Sequence, residues 1–288
     1  MDSHGASGDI DLQDWVGRSE RLSDRVYPAP VRALAATLED DTVRSSDGAT
    51  LPPLWHWLYF LPNAPMSQVG SDGHPKRGDF LPPISLERRM WAGSRIVFSG
   101  DLRLGDEIMR TSEILNIAEK HGRAGPMVFV TVRHTVSSPR GVAVEEEQDI
   151  VFIAMPDKFV PPKPTSVPEN TIWSDPVEVD PVLLFRFSAL TFNGHRIHYD
   201  RDYATEREKY PGLVVHGPLQ AMLIMGAARR HNPGRIAEKF MFRAVRPLFD
   251  FDTVAVHGCP ETDNRQSLCT ASGAGHVGMQ GEVRWRKD

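Results

Sequence analysis

The chain has 288 residues, a formal net charge of −5, 40% hydrophobic residues and 25% charged residues. This is the composition of a globular protein, which excludes a wholly disordered or fibrous chain. The slightly acidic balance gives no general attraction to nucleic acid or to an anionic membrane. No apolar run approaches the roughly 20 residues of a membrane helix, and the polar residues 1–12 lack the apolar core of a secretory signal. Two cysteines, Cys259 and Cys269, are too few for a disulfide framework or a cysteine-rich zinc site and fit a reducing cytoplasm.

A proline-rich segment divides the chain. Residues 156–170, PDKFVPPKPTSVPEN, contain five prolines. Prolines lack a backbone donor and favour an extended spacer. We therefore expect an N-terminal domain over residues 10–155 and a C-terminal domain over residues 171–288, each of ordinary domain size.

The first half predicts two helices followed by strands. Tyr27–Glu39 has the pattern of an amphipathic helix, and Leu54–Leu61, which follows two prolines, is a second helix candidate. The polar stretch Pro62–Phe80 is expected to be a loop. Strands are predicted over Arg95–Phe98, Glu107–Ala118, Met127–Val136 and Val142–Ile153.

The second half predicts one buried helix and several strands. The helix begins at Gly217, runs through residues that are apolar all round to His231, and stops at Asn232 and the Pro-Gly that follows. Segments with an alternation of period two, typical of strands, surround residues 240–245, 254–256 and 277–285. Both halves therefore indicate an α+β unit in which an antiparallel sheet packs on a helix. We therefore expect the two halves to repeat the same fold, although they share no clear sequence identity.

The densest polar cluster is TFNGHRIHYD, Thr191–Asp200. Asn193 and His198 stand five residues apart, which in a loop lets an amide and an imidazole converge on one water molecule. Two other interpretations stay open. Asn-Gly favours a turn, and Asp200 would cap a helix over Tyr203–Tyr210. Alternatively, His195, His198 and Asp200 would supply metal ligands.

A second feature lies in LVVHGPLQ, Leu213–Gln220. Gly217 stands at the entrance of the buried helix, where the first N–H groups have no partner within the helix and the dipole is positive. Such a donor can hold an oxyanion. The alternative is a plain strand-to-helix turn that uses glycine for its backbone freedom.

Together the two features resemble the MaoC-like hydratases and dehydratases. Their signature, Gly-Asp-x-Asn-Pro-Leu-His-x-Asp followed by a His-Gly that opens the central helix, matches residues 193–200 and His216–Gly217. NGHRIHYDRDYA and YPGLVVHGPLQA are similar to the subfamily of hydroxyacyl-thioester dehydratases type 2 and mesaconyl-CoA and itaconyl-CoA hydratases. GHPKRGDFLPP and RRMWAGSRIVF resemble the first half of those proteins. The chain departs from the signature at Asn193, where the family has a catalytic aspartate.

The resemblance implies a double hot dog fold, in which each half is an antiparallel sheet wrapped around a central helix. It also implies reversible hydration of an α,β-unsaturated acyl thioester, such as the short dicarboxylyl thioesters mesaconyl-CoA or itaconyl-CoA, without a metal or redox cofactor. His198 would be the general base, Asn193 would orient water, and the Gly217 N–H would hold the thioester oxygen. Alternatives are dehydration of a 3-hydroxyacyl group on coenzyme A or acyl carrier protein, a thioesterase, and an inactive binding module. The absence of Asp or Glu from Leu219–Arg230 argues against a thioesterase.

Further substrate contacts are expected from cations and from residues lining the acyl pocket. For the phosphates of coenzyme A the candidates are Arg243, Arg246, Lys76 and Arg77. For a carboxylate on the acyl group they are Arg196, Arg88 and Arg89. The remaining candidate contacts are Trp91, Tyr199, Val215 and His216. The first half is expected to be non-catalytic and to cover the acyl pocket, and two chains are expected to pair into a homodimer or a larger homo-oligomer.

Overall fold

The computed structural model describes residues 11–122 and 125–287, so the expectation for the extreme N-terminus lies largely outside the described residues. Three α-helices accompany an antiparallel sheet of ten strands. The helices are α1 (Pro28–Leu38), α2 (Pro181–Leu190) and α3 (Gly217–His231). The strands are β1 (Ser19–Arg25), β2 (Arg88–Phe98), β3 (Glu107–Gly122), β4 (Gly125–Ser138), β5 (Gly141–Ile153), β6 (Trp173–Val177), β7 (Ala237–Ala244), β8 (Val254–Gly258), β9 (Arg265–Ser272) and β10 (Val277–Trp285).

The sheet consists of the same topology twice. Its order is β1-β3-β4-β5-β2 followed by β7-β10-β9-β8-β6. Numbered within its own half, each set of five strands has the order 1-3-4-5-2, and the two sets join where β2 pairs with β7. The predicted α+β fold of two repeated units is therefore confirmed. The proline-rich segment 156–170 lies between β5 and β6.

Helix α3 is the centre of the second half, as the sequence predicts. It begins at Gly217 with proline in its first turn, and it packs on β8, β9 and β10. Leu219 and Ile224 are completely buried, which explains why the helix is apolar on all sides. Its last turn carries Arg229, Arg230 and His231, which is a favourable place for cations at the negative end of the helix dipole.

The first half has a much shorter helical part. Helix α1 confirms the first predicted helix, but the prediction of a helix over Leu54–Leu61 is wrong, since only a 3-10 turn forms at Trp55–Leu58. Leu54 and Phe60, which flank the turn, have left-handed φ angles of 72° and 57° that no α-helix allows. This turn occupies the place in the chain order that α3 occupies in the second half. A large part of the interior is therefore left without a helix to fill it.

The polar stretch after this turn is irregular, as expected, except for a short 3-10 turn at Met66–Gln68. Residues 185–190 form the C-terminal part of α2, just before the Thr191–Asp200 cluster. No helix within the described ranges is long and apolar enough to cross a membrane.

The close pairing of β2 with β7, where the two halves join, requires glycine at position 93. A Cβ atom on Gly93 of β2 would overlap the backbone carbonyl oxygen of Phe242 on β7. We expect Gly93→Ala to lower the free energy of unfolding by about 1–3 kcal/mol, because the two central strands must move apart. Gly226→Ala is the matched control. Its Cβ would lie 3.5 Å from the Arg230 guanidinium, an ordinary contact, and alanine favours the helix by up to about 1 kcal/mol. Urea unfolding of both variants measures the difference, and equal stabilities would contradict the tight junction.

Candidate active site

A cavity of about 2150 Å³ extends between the loops of the second half and the interior of the first. Both halves contribute to its wall. The second half contributes Asn193, His195, Arg196, His198, Tyr199, Val215 and Gly217, and the first half contributes His74, Arg88, Arg89 and Trp91. Most of the residues singled out from the sequence therefore meet in one space.

Asn193 lies in the loop that follows α2. Its side-chain oxygen accepts a hydrogen bond from the His195 N–H at 3.0 Å, so the Asn-Gly turn predicted as the alternative interpretation does form. Phe192, just before it, adopts a left-handed φ of 50°, which reverses the chain at the end of α2. The Asn193 side-chain oxygen is therefore engaged by the backbone of its own loop. The side-chain NH₂ group is thus the part of Asn193 that is available to a water molecule in the cavity.

His198 is buried, and its ring orientation is fixed. Its Nδ1 atom lies 2.7 Å from the Val214 carbonyl oxygen, which can only accept, so Nδ1 carries the proton and Nε2 carries the lone pair. Burial, and secondarily the neighbouring His195, lower the pKa of His198 to about 3. A neutral imidazole with an unprotonated Nε2 is the form that a general base requires.

His216 supports the His198 ring from behind. The two rings stack with centroids 3.7 Å apart at an angle of 20°, and Ser188 Oγ lies 2.8 Å from His216 Nε2. Burial and the neighbouring histidines hold the pKa of His216 well below its ordinary value. Both rings are therefore neutral, which a close stack requires. His216 is fully buried and does not reach the cavity wall, whereas its neighbour Val215 does.

His195 is held by a buried ion pair. Its Nε2 atom lies 3.1 Å from one oxygen of Glu208, and the other oxygen accepts from Arg88 Nε at 2.9 Å. Arg88 also donates to the Tyr210 hydroxyl. The guanidinium of Arg88 is thus compensated by protein groups. Glu208 was not predicted from the sequence, since no motif or spacing distinguishes this buried residue from the exposed glutamates of the chain.

A loop of the first half docks on the site. Gly73 and Gly194 approach so closely that a Cβ on either would overlap the backbone of the other. Asp72 O accepts from the Arg196 N–H at 2.9 Å, and the His74 and His195 rings lie 4.2 Å apart. Asp72 and His74 were missed as site residues. His74 lies in GHPKRGDFLPP, which was noted for the resemblance and for the candidates Lys76 and Arg77, and Asp72 comes just before that segment.

Gly217 provides an open donor at the start of α3. The nearest atoms to a Cβ placed on it would be Met279 Cε at 3.8 Å and the Trp91 carbonyl oxygen at 3.9 Å, so the space beside it is free. Pro218, next in the chain, has no N–H, and within the described residues no acceptor pairs with the Gly217 N–H. Gly217 borders the cavity that His198 also lines.

Two other predicted contacts serve mainly to hold the loop. Arg196 binds the Asp200 carboxylate through two nitrogens, at 2.9 and 2.7 Å, and reaches the Ser71 carbonyl at 3.1 Å. The Tyr199 hydroxyl donates to the Gly194 carbonyl at 2.8 Å. Both side chains border the cavity, but their polar groups are already engaged.

The predicted cations for coenzyme A separate into two groups. Lys76 and Arg246 line the cavity. Arg243 does not, because it lies on the exposed face of β7 and donates to Gln280 on β10 at 3.0 Å. Arg77 also lies outside the lining, since its guanidinium donates to the carbonyl groups of Ile84, Leu86 and Glu87. These two placements correct the sequence interpretation.

The metal alternative is also corrected. Asp200 accepts from the Tyr203 N–H at 3.0 Å, so it caps the turn that leads into a π-helical segment, Tyr203–Arg207, as the capping interpretation predicts. In the part of the chain that the structure describes, the group with metal-ligand spacing is a different one, Asp72, His74 and His195. Asp72 already binds the His74 ring at 2.9 Å through one oxygen and the His74 N–H through the other.

The fold is that of solved MaoC-like dehydratases. A MaoC-like dehydratase from Phytophthora capsici superposes with a TM-score of 0.73 at 11% identity, covering 97% of this chain and 99% of that one. A Mycobacterium tuberculosis protein described as a double hot dog superposes at 0.57 and 12% identity, covering 94% and 96%.

The family is shown by sequence. The model of the hydroxyacyl-thioester dehydratase type 2 family matches residues 54–250. A mesaconyl-C(4)-CoA hydratase from Chloroflexus aurantiacus is 49% identical over 255 residues, which covers 88% of this chain and 90% of that protein. The chain belongs to the hydroxyacyl-thioester dehydratase type 2 family, and it is a hydro-lyase acting on acyl thioesters.

The state of His198 predicts an unusual pH dependence. Since its pKa is held at about 3, the ring stays neutral down to about pH 5 and the base is not lost by protonation. We expect kcat/KM for enoyl-CoA hydration to stay nearly constant on the acid side between about pH 5 and 7. A pH–rate profile measures this. A loss of about tenfold per pH unit beginning near 6.5 would show a histidine with an ordinary pKa and contradict the structure.

Proposed function

We propose that this protein adds water to the double bond of a short, branched dicarboxylyl-CoA thioester of the mesaconyl or itaconyl type. The observation that carries the mechanism is the pairing, in one cavity, of the unprotonated His198 Nε2 with the free N–H of Gly217. The substrate class is supported by the 49% identity to a mesaconyl-C(4)-CoA hydratase.

In the hydration direction, His198 takes a proton from water while the water oxygen bonds to the β-carbon of the substrate. The NH₂ group of Asn193 orients that water. An amide cannot take up the proton, so His198 alone acts as the base. Its low pKa makes the resulting imidazolium a strong acid, which favours rapid return of the proton.

The electron pair of the double bond moves toward the thioester oxygen, where the Gly217 N–H and the positive end of α3 stabilise the enolate. The imidazolium of His198 then delivers its proton to the α-carbon, which completes the addition of H and OH. Dehydration is the same sequence reversed. The thioester itself polarises the double bond, so the proposed reaction needs no metal or redox cofactor.

The rim of the cavity suits the phosphates of coenzyme A. Lys76 and Lys158 border the cavity and are exposed, and Arg246 also borders it, with one nitrogen bonded to the Pro162 carbonyl at 2.9 Å. Cations at an open mouth bind phosphate without the cost of burying an unpaired charge. Lys158 was not among the residues predicted from the sequence.

The other sequence-based alternatives have weaker support. A thioesterase of this fold would use a carboxylate on the central helix, and α3 carries none. A 3-hydroxyacyl dehydratase would use the same residues as the proposed hydratase, in the reverse direction. A cytoplasmic location and a homodimer or larger homo-oligomer, both implied by the resemblance, remain predictions.

Substitution of the base tests the proposal. We expect His198→Ala to lower kcat for hydration of mesaconyl-CoA by about 10²- to 10⁴-fold, because the reaction loses its only proton acceptor. His257→Ala is the matched control, since His257 is a half-buried histidine on β8 away from the cavity. Loss of the enoyl-thioester absorbance measures the reaction. Full activity of His198→Ala would refute the assignment, and release of free thiol without loss of the double bond would identify a thioesterase.

A further inference from the structure

Arg89 is a largely buried cation with no counter-ion in contact. It lies near the start of β2 and lines the cavity. Burial lowers its pKa to about 10, so the guanidinium remains charged at neutral pH. Within residues 11–122 and 125–287, no carboxylate lies within ion-pairing distance of it and no hydrogen bond engages it. Asp72 acts on it electrostatically, but both Asp72 oxygens are bonded to His74.

The other arginines of the cavity are engaged by protein groups, and Arg246 among them donates to the Pro162 carbonyl at 2.9 Å. Arg88 binds Glu208 at 2.9 Å, and Arg196 binds Asp200 at 2.7 Å. Arg110, on β3, has Glu20 at 3.6 Å and lies over the Phe60 ring. Arg89 is therefore the inner guanidinium of this cavity whose donors are left for a ligand.

An uncompensated buried charge costs several kcal/mol, and proteins accept that cost where a ligand of opposite charge completes the pair. Arg89 also stands at a suitable distance from the proposed chemistry. Trp91, two residues along β2, places its carbonyl oxygen beside Gly217. Residues i and i+2 share one face of a strand about 6.5 Å apart. The carboxyl carbons of an extended four-carbon diacid are about 4 Å apart, which the reach of an arginine side chain accommodates.

We propose that Arg89 binds the free carboxylate of the acyl group and thereby selects dicarboxylyl thioesters over monocarboxylyl ones. This inference rests on the proposed function in taking an acyl-CoA thioester as the ligand. It assigns substrate selection to the first half of the chain, while the proton transfer belongs to the second half. Planar guanidinium binds carboxylate through two parallel hydrogen bonds, which lysine cannot reproduce.

A matched pair of ligands tests the inference without catalysis. Succinyl-CoA and butyryl-CoA differ only by a carboxylate in place of a methyl group, and neither carries a double bond to hydrate. Isothermal titration calorimetry on the full-length protein should show that the wild type binds succinyl-CoA about 10- to 100-fold more tightly, as a charged hydrogen-bonded pair provides. Arg89→Met should abolish this preference and leave the Kd for butyryl-CoA within about twofold. Arg89→Lys should retain part of it.

Two arginine variants serve as comparators. Arg110→Met removes the other incompletely bonded guanidinium of the cavity, and Arg243→Met removes one on the outer face of the sheet. Both should keep the preference for succinyl-CoA. The inference is overturned if the wild type shows no preference, if folded Arg89→Met or Arg89→Lys keeps it in full, or if Arg110→Met loses it. Thermal unfolding establishes that each variant is folded, and Arg89→Lys serves as the test if Arg89→Met is not.

Hydration assays separate this inference from the proposed function. If the wild type hydrates neither mesaconyl-CoA nor crotonyl-CoA but prefers succinyl-CoA in an Arg89-dependent manner, the proposed reaction is wrong and the carboxylate site stands. If it hydrates both equally well and Arg89→Met changes neither rate, the reaction stands and the carboxylate site is wrong.

Discussion

The hydrogen bond between His198 Nδ1 and the Val214 carbonyl determines what the site can do. A backbone carbonyl cannot donate, so this one contact selects the tautomer whose Nε2 is free to accept a proton. Burial and, secondarily, the neighbouring His195 then lower the pKa of His198 and oppose its protonation. Val214 directly precedes the segment that opens α3. The loop that leads into α3 and contains Val214 and Gly217 therefore positions both the His198 ring and the Gly217 N–H, and a displacement of this loop would disturb both groups together.

The cavity arises from a difference between the two halves, which share one strand topology but not one helix. Both halves build the same five-stranded order, yet between α1 and β2 the first half has only two short 3-10 turns, Trp55–Leu58 and Met66–Gln68, where the second has the 15-residue helix α3. The second half thus holds a complete core and a rigid helix start. The first half has unfilled space beneath its sheet, which gives an acyl chain room beside the site. Its loop with Asp72 and His74 also completes the wall around His195.

Local patterns predicted the parts of the molecule that local physics determines. Helix α3 was found to the residue because a Gly-Pro start, an apolar run and a basic last turn all agree. The helix predicted over Leu54–Leu61 does not form because that prediction also rested on local pattern alone. Its aromatic run has helical composition, but tertiary packing places Leu54 and Phe60 in left-handed conformations. His74 reaches the site from a distant position in the chain, and Glu208 meets His195 across a stretch of 13 residues, and no spacing in a single sequence reveals such contacts.

The charges around the site show how a binding preference can be built without rearranging the catalytic groups. Glu208 neutralises Arg88 and orients His195, so that pair is structurally committed. Asp72 is committed to His74 in the same way. With both carboxylates occupied, adjacent arginines on one strand differ in function: Arg88 stabilises the loop, whereas Arg89 keeps its donors free. If Arg89 binds the carboxylate as proposed, an anion from outside the protein completes the electrostatic balance of this cavity, whereas a neutral acyl group would leave the guanidinium uncompensated.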